Sequence, residues 1–223
     1  MNPNNILDEN IIVCDFPLVE HNLSVIRNEN SSSEIFRNAT KRLAYLLLYT
    51  AYSNLPMKEV EITTPICKTK SRIIDPDADI IIAPILRAGL AFADVAADIL
   101  PDATIRHIGM YRDEKTLQPV WYYNKTPVEL QNPQNTYVYV LDPMLATGNS
   151  SVETINLFLK KGMKEENLTF VNLIASPQGI KNIRDRFNKI RIVTAHIDES
   201  LNERGYIVPG LGDAGDRLFN TFN

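Results

Sequence analysis

What the sequence has little of narrows the class of the protein. Only two of its 223 residues are cysteines, Cys14 and Cys67, a number that indicates neither a disulfide framework nor a cysteine-ligated metal site. No apolar run approaches the roughly 20 residues that cross a membrane as a helix. The first ten residues lack the basic and apolar regions of a signal peptide. We therefore expect a cytoplasmic protein with reduced cysteines and no membrane partner.

Basic charge is scarce as well. The chain has 23 Lys and Arg against 27 Asp and Glu, and its net charge of −4 gives no overall basic field for nucleic acid. It also lacks internal repeats, and 44% hydrophobic with 22% charged residues is typical of a soluble globular protein. We expect a single domain over residues 1–223 that binds small molecules rather than nucleic acid.

What is present is an alternation of strand-like and helix-like segments. Amphipathic patterns predict an N-terminal helix over 33–49 and further helices over 90–100 and 152–161, with another after residue 176. Apolar or β-branched runs predict strands, at 59–66, 80–83, 105–110, 137–141, 169–175 and 190–195. This order predicts an α/β fold with a doubly wound, mostly parallel sheet flanked by helices.

The segment 137–151 has the most specific pattern. A buried strand ends at an acid, Asp142, and a loop of small and hydroxyl residues then leads into a helix. Such a loop forms an anion cradle, because free N–H groups and the helix dipole point at one spot. An acid beside it serves ribose hydroxyls or Mg²⁺, so the segment predicts a sugar-phosphate site. The alternative is an ordinary connection in which Thr147 or Ser150 caps the helix.

Other predicted strands end in polar loops at the same edge of the sheet, where ligands bind in doubly wound folds. Arg87 follows the strand at 80–83 and can clamp a pyrophosphate bidentately, although a surface ion pair is the alternative. The loop Ser176-Pro-Gln-Gly179 follows the strand at 169–175. We expect the cleft at this edge.

Two further segments indicate a closed pocket. Residues 111–127 are long, polar and aromatic, as in a lid whose Arg112 reaches phosphate; the alternative is a surface hairpin or dimer contact at 120–123 with Trp121 as anchor. The C-terminal tail, 201–216, contains four glycines beside apolar and acidic residues. Glycines let a backbone wrap closely around a flat ligand, so we expect the tail to bind a base.

Several strings, in this order, resemble the uracil phosphoribosyltransferases, a branch of the type I phosphoribosyltransferases. They span nearly the whole chain and are Pro17-Leu-Val-Glu-His21, Pro84-Ile-Leu-Arg-Ala-Gly89, Gly109-Met-Tyr-Arg112, Asp142-Pro-Met-Leu-Ala-Thr-Gly148, Leu201-Asn-Glu-Arg-Gly-Tyr-Ile207 and Pro209-Gly-Leu-Gly-Asp-Ala-Gly-Asp216. The resemblance implies a type I phosphoribosyltransferase fold with a small hood formed by the terminal segments. It also implies transfer of ribose 5-phosphate from phosphoribosyl pyrophosphate (PRPP) to uracil, giving UMP and pyrophosphate.

By matching position, the resemblance assigns roles to individual residues. Catalysis would depend on Arg87, Arg112, Asp142 and Asp213. PRPP would be bound by Arg87, Arg112, Asp142, Pro143, Met144, Leu145, Ala146, Thr147, Gly148, Asn149, Ser150 and Asp213. Uracil would be bound by Ile207, Gly212, Asp213 and Ala214.

The resemblance further implies Mg²⁺ held mainly by PRPP, a homodimer or homotetramer, and GTP activation in some members. Two alternatives stay open: an enzyme that takes another base, such as a purine or orotate, and an RNA-binding pyrimidine regulator with the same fold. One position departs from the family, since Asn149 stands where its members usually have the second glycine of Thr-Gly-Gly-Ser. Asn tolerates positive φ best among non-glycine residues, so we expect Asn149 to preserve the loop by adopting it.

Overall fold

The computed structural model describes residues 9–113 and 119–221, and at Arg112 only the main chain. Within these ranges the strands are β1 (Ile11–Val13), β2 (Met57–Thr63), β3 (Lys68–Ile74), β4 (Asp79–Leu86), β5 (Thr104–Ile105), β6 (Ile108–Arg112), β7 (Pro119–Asn124), β8 (Thr136–Leu141), β9 (Met144–Leu145), β10 (Leu168–Ala175), β11 (Arg191–Ile197), β12 (Ser200–Leu201) and β13 (Ile207–Val208). The helices are α1 (Pro17–Arg27), α2 (Ser33–Ala51), α3 (Leu90–Ile99), α4 (Asn149–Leu159), α5 (Pro177–Arg184) and α6 (Ala214–Phe219). Short 3₁₀ turns cover Tyr52–Asn54, Pro133–Asn135 and Glu165–Asn167.

The central sheet is almost entirely parallel, as the sequence predicts. Its strands lie in the order β1-β11-β10-β8-β4-β6-β7, with β5 beside β4 and β9 beside β10, and the pair β6–β7 alone among them is antiparallel. From β4 the chain proceeds to β6 on one side, then returns to β8 on the other. The strand order therefore switches between β4 and β8, the place where such sheets bind ligands at their carboxyl edge.

Helices cover both faces of this sheet because alternate strand residues point to opposite sides. In β8, Tyr139 and Leu141 join the core beneath α1, α2 and α3, whereas Val138 and Val140 join the core beneath α4 and α5. All four are fully buried. The predicted doubly wound architecture is thus confirmed, and α3 and α4 diverge to opposite faces from the two strands at the switch.

Two strand predictions need correction. The strand predicted over 59–66 is β2, and it pairs antiparallel with β3, which the sequence patterns did not predict; together they form a separate two-stranded sheet. Both strands are largely exposed, so they lack the apolar alternation that identifies a strand packed on a core. The strand predicted over 105–110 is divided into β5 and β6.

The segment predicted as a lid, 111–127, begins as strand. β7 pairs antiparallel with β6, which agrees with the alternative of a hairpin at 120–123. Trp121 is partly buried and packs against the core beneath α4. The middle of the segment, 114–118, lies outside the described residues. In the described ranges, no helix is long and apolar enough to cross a membrane.

Candidate active site

A cavity of about 260 Å³ opens at the carboxyl ends of β4 and β8. Arg87 and Ala88 line it from the turn after β4, and Met144 and Ala146 line it from the segment after β8. The C-terminal tail supplies the remaining lining: Gly205, Tyr206, Ile207, Gly212, Asp213, Ala214 and Gly215. Three segments that the sequence indicated separately therefore meet at one cavity, and all four predicted uracil-binding residues line it.

Arg87 both lines the cavity and closes an ion pair. Its Nη2 lies 3.3 Å from Oδ1 of Asp216, and its guanidinium stands 6.0 Å above the ring of Phe219. The Arg87 side chain is 56% exposed, and a single exposed contact of this kind contributes about 0–1 kcal/mol. A doubly charged phosphate can therefore compete for the guanidinium. Sequence reasoning did not pair these residues, because 129 positions separate them.

The turn that carries Arg87 is tight because Gly89 lies directly against the strands. A Cβ at Gly89 would overlap the carbonyl oxygens of Leu141 and Ile85. Only a residue without a side chain allows α3 to start so close to β4 and β8. The same turn contains a cis peptide bond between Leu86 and Arg87.

Asp142 stands just beyond β8, as predicted, and is partly buried. Burial raises the pKa of the Asp142 carboxyl to about 7, and a long hydrogen bond from the Met144 N–H, 3.5 Å, opposes the rise. The side chain is therefore poised between its neutral and charged forms near neutral pH. Its neighbours Pro143 and Leu145 are buried, and Leu145 belongs to the core beneath α4 and α5.

The phosphate loop, defined here as residues 146–150, differs from prediction at Asn149. Gly148, with a positive φ of 78°, is the N-cap of α4, and no side chain caps this helix, so the alternative in which Thr147 or Ser150 caps it is not observed. The prediction that Asn149 adopts positive φ is wrong, because Asn149 is the first residue of α4 and has helical backbone. Gly148 alone makes the turn, which leaves the first N–H groups of α4 at the loop.

The loop after β10 is hydrogen-bonded to the phosphate loop through Ser176. Ser176 is fully buried, donates through Oγ to the Ala146 carbonyl (2.6 Å) and accepts from the Gly179 N–H (2.9 Å). Its own N–H donates to the Leu145 carbonyl (2.9 Å). The loop Ser176-Pro-Gln-Gly179 therefore stabilises the start of the phosphate loop through hydrogen bonds.

The tail approaches the cavity through two tight turns. Oδ1 of Asn202 accepts from the N–H groups of Arg204 and Tyr206, both at 3.0 Å, and so folds the connection between β12 and β13. Gly210 has φ of 66°, and a Cβ there would collide with the Ile207 carbonyl oxygen. At the end of the tail, Asp213 caps α6 by accepting from the Asp216 N–H at 2.9 Å.

A buried ion pair holds the tail to α1. Arg27 donates to both carboxylate oxygens of Asp198, at 2.9 and 2.5 Å, and to the Gly210 carbonyl at 2.7 Å. The Gly210 N–H donates to Asp198 at 2.8 Å, and the Asp198 side chain is fully buried. His196 lies 3.7 Å from the same carboxylate and is 53% exposed. We call Arg27, Asp198 and Gly210 the tail clasp; no sequence pattern indicated it.

Arg217 reinforces this attachment from α6. It donates to the carbonyls of Ile26, Leu211 (2.8 Å) and Asn28 (2.6 Å), and its guanidinium lies 4.4 Å from the centre of the Phe36 ring. The C-terminal end of α1, the residue after it and the tail thus all accept hydrogen bonds from one buried guanidinium.

Arg112 ends β6, on the strand next to β4. Its side chain lies outside the described part of the structure, so its predicted contact with PRPP stays a prediction. The predicted residues Thr147 and Ser150 are partly buried in the phosphate loop.

Comparisons with known proteins agree with this architecture. The family model for uracil phosphoribosyltransferase matches residues 13–221. A uracil phosphoribosyltransferase of Dictyoglomus thermophilum is 47% identical over 95% of this chain and 99% of its own length. One from Limosilactobacillus fermentum is 45% identical over 94% of this chain and 97% of its own length.

Solved structures show the same fold. The AQ2163 protein from Aquifex aeolicus has a TM-score of 0.85 and 34% identity, covering 95% of this chain and 98% of its own. An adenine phosphoribosyltransferase from Trypanosoma brucei, solved with AMP, pyrophosphate and ribose 5-phosphate, has a TM-score of 0.52 and 12% identity, covering 86% of this chain and 85% of its own. That second likeness shows the fold alone. Because the family model matches most of its length and its relatives are identical to it at nearly half of the aligned positions, the chain belongs to the uracil phosphoribosyltransferase family.

Proposed function

We propose that the cavity between Arg87 and the C-terminal tail is where the enzyme converts PRPP and uracil to UMP and pyrophosphate. One observation carries this assignment: Arg87, the segment after Asp142 and the glycine-rich tail line the same 260 Å³ cavity. A cation, a helix N-terminus and a close-fitting backbone are what a pyrophosphate, a 5′-phosphate and a flat base each require.

PRPP would lie across the switch between β4 and β8. Arg87 and Arg112 would bind the pyrophosphate, Asp142 would accept hydrogen bonds from the ribose hydroxyls, and residues 143–150 would bind the 5′-phosphate through main-chain N–H groups and hydroxyls. Asp213, which lines the same cavity as Arg87, would reach PRPP from the tail side.

Uracil would lie against the tail. Ile207 and the stretch 212–214 line the cavity, and the main chain there offers donors and acceptors in a fixed order. The tail clasp fixes this backbone, so a base whose edge does not match leaves buried groups unpaired.

The chemistry needs positioning and charge stabilisation more than a nucleophilic side chain. As the bond from ribose to pyrophosphate breaks, the ribosyl carbon becomes cation-like, and a uracil nitrogen forms the new bond to it and releases its proton to solvent. Arg87 would stabilise the charge that develops on the departing pyrophosphate. Mg²⁺, when bound, would neutralise part of that charge; one carboxylate with substrate oxygens is a usual Mg²⁺ environment, which Asp142 fits. In the described residues no group of three or more acidic, His or Cys residues could hold a metal. We propose that PRPP itself supplies most of the Mg²⁺ ligands.

The enzyme would be cytoplasmic and act as a homodimer or homotetramer. Its two cysteines are free, as in a reducing compartment. The β2–β3 hairpin supports self-association, because one of its faces carries Val60, Ile62 and Ile73, and Ile62 and Ile73 are 40% and 42% exposed. We propose that this face packs against a second copy of the chain.

The test is base-dependent release of pyrophosphate from PRPP. We expect turnover with uracil and none with cytosine, because unpaired groups in a hydrogen-bonding pocket discriminate by about 10⁴-fold. Adenine and orotate in the same assay test the alternative in which another base is the substrate. Comparable turnover of cytosine would contradict the proposed recognition by the tail.

A further inference from the structure

Asn182, in the last turn of α5, contacts the phosphate loop at two points. Its Nδ2 donates to the Thr147 carbonyl at 2.8 Å and to Oδ1 of Asn149 at 3.0 Å. These contacts flank Gly148, the residue with positive φ on which the turn into α4 depends. One side chain therefore fixes the backbone before the turn and the side chain after it.

The orientation of the Asn182 amide is itself determined by a neighbour. Arg186 donates through Nη1 to the Asn182 carbonyl (2.9 Å) and to Oδ1 of Asn182. A guanidinium can only donate, so the amide oxygen must face Arg186 and the NH₂ group must face the loop. The carboxamide is consequently prepared to donate to the loop before any ligand arrives.

The loop and α5 also leave no room between them. A Cβ at Gly148 would lie 2.9 Å from the Gly179 carbonyl oxygen and 3.3 Å from Nδ2 of Asn182. A side chain at residue 148 would therefore push the loop away from α5, and movement of the loop away from α5 would break the hydrogen bonds from Asn182.

We propose that Asn182 is a positioning residue for PRPP, with Asn149 as its partner. Asn149, the residue that departs from the family pattern, turns its Oδ1 to α5 and supplies an acceptor that a glycine could not. The pair holds residues 147–149 so that the N-terminus of α4 faces the 5′-phosphate. This inference rests on the proposed role of the loop as the seat of that phosphate.

The experiment compares two Asn182 variants. Asn182→Leu keeps the branched shape of the side chain without a donor, and Asn182→Asp keeps an acceptor for Arg186 while removing the NH₂ group. We expect each to raise the KM for PRPP about tenfold and to change kcat less than twofold, since ground-state positioning of PRPP is what is lost. The melting temperature should stay within a few degrees. Lys181→Ala, on the exposed side of the same helix, is the matched control and should leave both constants unchanged.

A double-mutant comparison tests the partnership. Asn149→Gly should raise the KM for PRPP by less than Asn182→Leu, because the bond from Asn182 to Thr147 remains. The double variant should be no worse than Asn182→Leu alone, since its two changes remove one shared contact. Additive effects would overturn the pairing of Asn149 with Asn182.

Calorimetric titration with ribose 5-phosphate measures the affinity of the phosphate loop for a 5′-phosphate without catalysis. Weaker binding by both Asn182 variants supports the proposal. If the wild-type enzyme turns over PRPP and both variants match it in KM and in ribose 5-phosphate affinity, Asn182 does not position the loop. If the wild-type protein neither turns over PRPP nor binds ribose 5-phosphate, the assignment of the loop fails and this inference fails with it.

Discussion

Arg87 is held by a weak ion pair at the edge of the cavity, and that weakness fits a residue that must exchange partners. Its contact with Asp216 is long, at 3.3 Å, and both side chains reach solvent. Asp216 has a second partner of its own, Oγ1 of Thr221 at 2.7 Å. Release of Arg87 to a phosphate therefore leaves Asp216 hydrogen-bonded.

The first prediction separates these two roles of Arg87. Arg87→Ala should lower kcat/KM for PRPP by about 10²-fold, as loss of one charge-stabilising group does, while changing the free energy of unfolding by about 1 kcal/mol or less. Asp216→Asn removes the ion pair but keeps the arginine, and should retain most activity. Steady-state kinetics with thermal denaturation check both; unchanged kinetics in a folded Arg87→Ala protein would remove this residue from the mechanism.

Asp142 predicts a pH dependence of substrate binding. Its carboxyl has a pKa of about 7, so its charged form rises about tenfold between pH 6 and pH 8, and this is the form that we propose accepts hydrogen bonds from the ribose hydroxyls. The affinity of the wild-type enzyme for PRPP, relative to that of Asp142→Asn, should rise by a similar factor. Titration of the PRPP phosphates affects both proteins equally and cancels in the ratio. A ratio that stays constant with pH would show that ionisation of Asp142 does not matter to PRPP.

The same carboxyl predicts the sign of a stability effect. The folded pKa lies above the ordinary value, so the folded chain binds more protons than the unfolded chain between about pH 4 and pH 7. The free energy of unfolding therefore loses a contribution as the pH rises through that window. Asp142→Asn lacks this loss, so denaturant titrations should find it more stable relative to wild type at pH 8 than at pH 5.

At the residue scale, the sequence indicated several side chains that reach the cavity but not how they are held there. Arg87 was recognisable from its place after an apolar strand, whereas Ile207 and Asp213 were assigned by the family resemblance; all three line the cavity. The backbone of Asn149 was wrongly predicted, because Gly148 alone completes the turn. Local propensity allows positive φ at either position, and the contact with Asn182 on α5 depends on packing 33 residues away.

At the scale of elements, the tail clasp makes the base pocket depend on α1. Asp198 directly follows β11 and has no exposed surface in its side chain, whereas Arg27 ends α1 and its side chain keeps 23% exposure. The two share Gly210, whose N–H and carbonyl are both engaged. Loss of the pair should therefore affect uracil before it affects PRPP.

This dependence gives a prediction about Asp198. Asp198→Ala should lower the free energy of unfolding by about 3 kcal/mol, the lower end of the range for a broken buried pair, because Arg27 keeps some access to water. It should raise the KM for uracil more than the KM for PRPP. His196→Gln, beside the same carboxylate but half exposed, is the matched control and should change neither. A larger effect on PRPP would contradict the assignment of the clasp to the base pocket.

Elements with apolar periodicity could be predicted, and those without it could not. β4, β8 and β10 are buried on both faces and form continuous apolar runs, so their positions were clear from sequence. β3 alternates lysine, arginine and hydroxyl residues and has mostly exposed side chains, so it resembled a loop. The pairing order of the sheet, with β8 between β4 and β10, depends on contacts between distant segments.

At the scale of the whole molecule, the β2–β3 hairpin forms a two-stranded sheet separate from the central one. One face carries the ion pairs Glu59–Lys70, at 2.7 Å, and Glu61–Lys68, at 3.4 Å. The opposite face carries Val60, Ile62 and Ile73 together with Lys58, Ser71 and Thr69. Because Ile62 and Ile73 are exposed on this second face, it is the face that we propose another chain covers.

The last prediction tests this self-contact. Ile62→Lys combined with Ile73→Lys should shift the assembly towards monomer, because two charges would have to be buried in the contact. Glu61→Gln, on the charged face, is the control and should leave the mass unchanged. Sedimentation over a range of protein concentrations measures both. A lysine variant with the same assembly mass as wild type would place the self-contact elsewhere.

The order of the segments along the chain gives the tail clasp a consequence for synthesis on the ribosome. All strands of the central sheet and the phosphate loop precede residue 198, whereas the proposed uracil-binding residues follow it. Chains emerge from the ribosome N-terminus first, so these strands and the loop are made before the tail. Arg27 is therefore already present when Gly210 becomes available to it. On the proposed assignment, the loop that receives the 5′-phosphate is made first and the residues that select the base are made last.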